Sequence, residues 1–183
     1  RGLVAALREW NARVRVLVRP SGTIPPDWDG VETISGDLAD VDSLTHACAG
    51  MSVAIHAAGF AHAGAADTPD FAARHWTVNA EGTFRLLDAA VTAEVERFVY
   101  LSSVKAVGDP GSRCADESWD APPETSYGRA KRAAERRVLA VGHETGLQAV
   151  NLRPALVYGS GMKANLPRLI DAVRRGWCPP LPE

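Results

Sequence analysis

The chain has 183 residues, with 20 Lys+Arg against 22 Asp+Glu for a net charge of −2, and 46% of its residues are hydrophobic. That balance excludes disorder and collagen-like repeats, provides no basic field for nucleic acid, and contains no apolar run near the ~18 residues that a bilayer span requires. A chain of this size hides roughly 70% of its unfolded surface, so a core forms without disulfides or a structural metal. Cys48, Cys114 and Cys178 lie far apart and outside any CxxC pair, which fits a reducing cytoplasm.

Leu3, Val4 and Leu7 already fall on one helical face, so the chain opens inside a helix; without an initiating Met it reads as a fragment. A strand over 14–18 follows and ends on Arg19-Pro20, and a second over 31–35 ends on Gly36-Asp37-Leu38. After a helix over 41–48, a third strand over 52–56 ends on Ala57-Ala58-Gly59. One long helix is predicted over 71–93, then a strand over 98–101 ending on Ser102-Ser103. A helix over 126–144 leads to a strand over 148–152, which ends on Arg153-Pro154. A last helix over 166–175 stops at Gly176, before a turn-rich Pro179-Pro180-Leu181-Pro182-Glu183. This alternation predicts a doubly wound α/β fold, a parallel sheet with helices on both faces. Ligands bind such sheets beyond the carboxyl ends of the strands, where each of these groups sits.

Tyr127 and Lys131 are spaced i, i+4 and share one face of their helix. A cation ~4 Å from a phenol at an effective dielectric of ~20 is worth about 4 kcal/mol, or about three pKa units, enough to bring Tyr127 toward working pH. Ser103, at a strand end 24 residues earlier, is brought beside the phenol by one loop and one turn. The three make a proton-transfer set: Ser103 bonds the substrate oxygen, Tyr127 exchanges its proton, and Lys131 lowers the Tyr pKa and touches a cofactor ribose. The strand over 14–18 ends on Arg19 and not on a carboxylate that could take an adenosine 2′-OH; Arg19 can pair with a 2′-phosphate, which favours NADP over NAD.

Several ordered segments resemble the extended short-chain dehydrogenases/reductases, the NAD-dependent epimerase/dehydratase family. Phe98-Val99-Tyr100-Leu101-Ser102-Ser103 is similar to its catalytic strand, Ser126-Tyr127-Gly128-Arg129-Ala130-Lys131 to its YxxxK helix, and Leu152-Arg153-Pro154-Ala155-Leu156-Val157-Tyr158-Gly159 to its following strand and loop. Val78-Asn79-Ala80-Glu81-Gly82-Thr83 resembles the NxxGT helix, and Gly36-Asp37-Leu38 the adenine-contacting turn. The resemblance implies a Rossmann-like fold and a dinucleotide held by Arg19, Asp37, Leu38, Ala57, Ala58, Gly59, Asn79, Tyr127, Lys131 and Pro154. Ser102-Ser103-Val104-Lys105 with Gly108, and the segment from Gly161 to Leu166, look most like bacterial nucleotide-sugar 4-epimerases and 4-ketoreductases of polysaccharide biosynthesis. That implies a nucleotide-sugar substrate met by Ser103, Lys105 and Asn165, and a homodimer of the full-length protein. Val107 stands where many epimerases carry Tyr, so a keto-sugar reductase stays open beside an epimerase.

The family's first strand and glycine-rich loop would precede Arg1, so the chain is expected to be a partial dinucleotide domain over 1–183, with 160–183 entering the substrate region. Without the central strand and the pyrophosphate donors, the isolated segment is expected to be unstable and to bind neither dinucleotide tightly. A non-catalytic sensor of the same fold, or a steroid or flavonoid alcohol dehydrogenase, is the alternative. His56 reads as a satisfied core residue, His46, His75 and His143 as helix residues without metal spacing, and His62 as a loop residue; no metal site is expected.

Overall fold

The computed structural model describes residues 1–61, 68–155, 157–159 and 165–177. Helix α1 (Gly2–Glu9) leads into strand β1 (Arg15–Val18), which pairs in parallel with β2 (Glu32–Ser35), from Arg15↔Glu32 to Val18↔Ser35. Helix α2 (Val41–Cys48) starts where the Asp40 carboxylate accepts from Ser43 N at 3.3 Å, the usual way of satisfying an orphan amide in the first turn. Its last carbonyls are held by Arg15, which donates to Ala49 O at 2.6 Å and pairs with Glu32 at 2.9 Å. One guanidinium therefore fastens both strands to the helix end.

A second parallel ladder has the order β3 (Val53–His56), β4 (Arg97–Leu101), β5 (Gln148–Leu152). Among the described strands, β1 pairs only with β2 and β3 only with β4. The doubly wound order places its first strand between those two edges, and no described strand takes that position. Helix α2 packs on β1 and β2 and against α4 (Gly82–Thr92), which packs against α5 (Ser126–Thr145), and α5 covers β4 and β5. The three helices form one layer over Leu44, Cys48, Leu87, Ala90, Phe98, Tyr100, Ala134, Val138 and Val141. Burial alternates along β5, with Val150 and Leu152 open to solvent. Helix α6 (Asn165–Arg174) closes the described chain, one residue out from the expected start.

The predicted helix over 71–93 is three pieces: α3 (Pro69–His75), a π-helical segment (Trp76–Glu81) and α4. Thr68 caps α3 by accepting from Phe71 N, with Pro69 in the first turn where its missing N–H costs nothing. The widening centres on Asn79. Its carbonyl accepts from the Thr83 hydroxyl at 2.7 Å and from the Tyr100 phenol at 3.5 Å. Those side chains compete for an acceptor that a regular helix gives to an amide four residues on.

The Thr83 hydroxyl, having given its proton to Asn79, accepts from the His56 ring at Nε2, 3.0 Å away. His56 is buried, stacked 5.4 Å from Tyr100, and is the satisfied core histidine that the sequence indicates. Burial pushes its pKa down to about 3, with the Lys131 charge acting in the same direction.

Candidate active site

Chain leaving β4 turns at once. Ser102 N donates to Leu152 O at 2.7 Å, and Ser103 Oγ accepts from Lys105 N at 3.2 Å, capping a 3-10 turn, Val104–Ala106. The N-terminus of α5 lies directly on this turn, because Gly128 has no Cβ: one built there would collide with the Lys105 carbonyl oxygen. Thr125 fixes the start of α5, its Oγ1 accepting from Gly128 N at 3.0 Å. The approach brings the half-buried Tyr127 phenol into a hydrogen bond with the Ser103 hydroxyl.

Lys131 follows one turn later, only 4% exposed. Its ammonium donates to Leu101 O, the last carbonyl of β4, at 2.9 Å, lies 4.7 Å from the Tyr100 ring centre and 6.0 Å from that of Tyr127. Burial pushes the Lys131 pKa down to about 8, against the pull of Glu135 one turn further on. Glu135 is itself 2% exposed and takes Arg153 bidentately at 2.8 and 2.7 Å, pinning α5 to the end of β5.

The expected lowering of the Tyr127 pKa is not what this geometry produces. Burial raises it, and the Ser103 hydrogen bond offsets only part of that rise. The ammonium, 6.0 Å from the centre of the Tyr127 ring, is engaged by the Leu101 carbonyl.

Asn79, 1% exposed, accepts from Phe60 N at 2.7 Å and donates to Phe60 O at 2.8 Å. Its amide shapes the loop after β3 and presents Ala57, Ala58 and Gly59, all exposed. A Cβ on Gly59 would stand 3.0 Å from Asn79 Oδ1 and 3.6 Å from Lys131 Nζ, so the glycine keeps the surface above both open. Ser103, Tyr127, Lys131, Asn79 and Gly59 are thus gathered at the carboxyl edge of β3 and β4. Pro154 joins them through its carbonyl, which accepts from Val104 N at 3.2 Å.

Arg19, Asp37 and Leu38 sit at the carboxyl ends of β1 and β2. Arg19 is exposed, and no described residue hydrogen-bonds its guanidinium. Asp37 Oδ1 accepts from Ala39 N at 3.0 Å, while Leu38 packs on Gly82 of α4. Lys105 is exposed and faces a cavity of about 770 Å³ between the segment over 104–125 and β5, whose walls include Trp119 and Arg153 but not Ser103, Tyr127 or Lys131. The Asn165 side chain, His62 and the segment over 160–164 lie outside the described residues. Among the described residues no group of His, Cys, Asp or Glu is placed to hold a metal, and no helix is long and apolar enough to cross a membrane.

Sequence reasoning missed His75, Tyr100 and the Glu135–Arg153 pair as parts of this site. Helical spacing carried the signal for two of them: His75 is four residues before Asn79, and Glu135 four after Lys131.

Residues 1–181 match the model of the NAD dependent epimerase/dehydratase family. The chain belongs to that family. It is 31% identical over 151 residues to a UDP-glucose 4-epimerase of Vibrio cholerae, covering 81% of this chain and 46% of that protein. It is also 31% identical over 179 residues to a 3 beta-hydroxysteroid dehydrogenase/Delta 5-->4-isomerase of Mycobacterium tuberculosis, covering 95% and 48%. Among solved structures, MoeE5 in complex with UDP-glucuronic acid and NAD superposes with a TM-score of 0.79 at 30% identity, covering 96% of this chain and 57% of that one. The chain spans about half the length of the curated relatives it matches. The doubly wound α/β fold read from the β-α alternation, Rossmann-like as the resemblance implies, is the fold of this family's structures.

For this family member Gly128 is the contact that lets phenol and serine meet. Gly128→Ala is expected to cost about 1–3 kcal/mol in denaturant unfolding, typical of an added methyl with no space, and to weaken the Ser103–Tyr127 hydrogen bond.

Proposed function

We propose that the full-length protein is an NAD(P)-dependent epimerase or reductase acting at a keto or hydroxyl carbon of a nucleotide sugar, the 4-position in particular. The observation that carries this reading is the placing of the Tyr127 phenol with Ser103 and the buried Lys131 at a carboxyl edge kept open by Gly59. A dinucleotide fits the residues present: Ala57, Ala58, Gly59 and Pro154 border the open surface, Lys131 offers a cation below it, and Asp37, Leu38 and Arg19 line the ends of β1 and β2. When bound, the nicotinamide supplies or accepts the hydride.

Tyr127 handles the proton. For reduction its phenol O–H gives the proton to the substrate oxygen, and for oxidation the phenolate takes it back. Ser103 bonds the same oxygen and holds the phenol in line. Lys131, positive below about pH 8, stabilises the phenolate that remains. Because burial raises the Tyr127 pKa in the ligand-free chain, the phenol waits protonated, the form that donates. Residues 1–183 then form part of the dinucleotide domain, with 160–183 leading into the substrate region. A cytoplasmic location and a homodimer belong to the same proposal.

The likeness to the mycobacterial steroid dehydrogenase, which extends over 95% of this chain, supports a second reading with the same proton set but a 3β-hydroxysteroid as substrate. The two separate in an assay of the full-length protein with NADPH and NADH against 4-keto and 4-hydroxy nucleotide sugars and 3β-hydroxysteroids. On whichever substrate turns over, Tyr127→Phe is expected to lower kcat about 10²- to 10⁴-fold with little change in dinucleotide affinity. Full activity in that variant removes Tyr127 from the chemistry.

Arg19 carries the cofactor preference. Arg19→Ala is expected to weaken NADP about ten- to a hundredfold by titration, the loss of one charge-assisted hydrogen bond, and to leave NAD nearly unchanged. Equal effects on both dinucleotides return Arg19 to the solvated surface.

A further inference from the structure

We infer that His75 is a positioning residue for Tyr127, transmitting the fixed geometry of the loop after β3 to the phenol through its ring edge. The inference rests on the reading of Tyr127 as the proton carrier and goes beyond it by naming what sets the ring's lateral position.

His75 ends α3 and is 6% exposed. Its ring meets that of Tyr127 edge-on, with centroids 5.4 Å apart and planes at 69°, the arrangement that aromatic quadrupoles prefer. The imidazole is held from two other sides. Phe60 lies tilted against it at 5.0 Å, and Phe71 stands 6.5 Å away. Asn79 Nδ2 lies 3.4 Å from His75 Nδ1, and an amide nitrogen can only donate, so Nδ1 is the acceptor and the ring proton sits on Nε2. Asn79 is in turn fixed by its two hydrogen bonds to the Phe60 backbone. An unbroken set of contacts therefore runs from the loop that carries Gly59, through Asn79 and His75, to Tyr127.

The phenol needs such a wall. Ser103 meets it only at its oxygen, so the χ1 and χ2 torsions of the side chain are held by what packs against the ring's face and edge. Lys131, 6.0 Å from the ring centre, is committed to Leu101. Gly128 sets where α5 sits, not where the Tyr127 ring points. The groups facing this ring from the packed elements are His75 of α3, Ser103 beyond β4, Tyr100 of β4 and Lys131 of α5. His75 is the one that touches both the ring and the clamp under the post-β3 loop.

The test compares His75→Leu, which keeps bulk without a ring, with His75→Phe, which restores the ring edge. Both are made in the full-length protein with isotope-labelled tyrosine, the Tyr127 signal being identified by its loss in Tyr127→Phe. A loosened ring weakens the Ser103 hydrogen bond, the interaction that lowers the phenol pKa. His75→Leu is therefore expected to move the Tyr127 titration midpoint up and to reduce kcat about three- to tenfold at unchanged KM. His75→Phe is expected to return the midpoint and most of kcat, whatever its thermal stability. An unmoved midpoint in a folded His75→Leu protein overturns the inference, as does a shift that His75→Phe fails to rescue. Activity surviving in Tyr127→Phe sinks instead the proposed proton carrier, so the two failures are distinguishable.

Discussion

An ammonium taken out of water must be ringed by acceptors, and the carboxyl edge of this fold is organised around meeting that demand for Lys131. The last carbonyl of β4 accepts its hydrogen bond, and the face of Tyr100 receives its charge at 4.7 Å. Glu135 lies one turn further along the helix, locked to Arg153. Leu101 and Tyr100 both belong to β4, so placing the ammonium fixes α5 against that strand, while Glu135, on α5 itself, ties the helix to the end of β5 through Arg153. Tyr127 is four residues before Lys131 on the same face, so the phenol is placed by the same docking. Compensation is incomplete, as the lowered pKa shows. The unfolded chain binds a proton at Lys131 that the folded chain releases between about pH 8 and 10.5, so this residue costs stability at neutral pH and the cost is relieved as pH rises through that window.

The same rule explains the π-helical segment. Tyr100, Thr83 and His56 are all buried polar groups, and they find partners by converging on one another and on the Asn79 carbonyl. Within that segment the Asn79 side chain holds Phe60 of the loop above the site by two hydrogen bonds. A local departure from regular structure is thus what connects the core network beneath the sheet edge to the surface that a ligand meets.

Much of this was legible in the residues. Five strands, the starts of α2 and α5 at Val41 and Ser126, and the meeting of Ser103 with Tyr127 followed from period, punctuation and i, i+4 spacing, because those signals are local. The π segment was not legible: Trp76–Glu81 has ordinary helical periodicity, and the Tyr100 phenol that reaches its Asn79 carbonyl comes from a strand 21 residues away. The direction of the Tyr127 pKa shift was hidden for a related reason. Sequence spacing gave Lys131 the right face of the helix, but not the Leu101 carbonyl that draws the ammonium aside, nor the burial that favours the neutral phenol. His75 was passed over because a lone helical histidine without metal spacing says nothing until α3 is seen against α5.

The central claim is that Lys131 is a buried, carbonyl-bound ammonium whose burial sets the charge of the site. The most direct measurement is its titration, followed by NMR of isotope-labelled lysine side chains, with the Lys131 signal assigned by substitution to Arg. A midpoint near 8 is expected. A midpoint at the ordinary lysine value above about 10 would mean that the side chain is solvated, and would contradict the arrangement on which the phenol's placement depends.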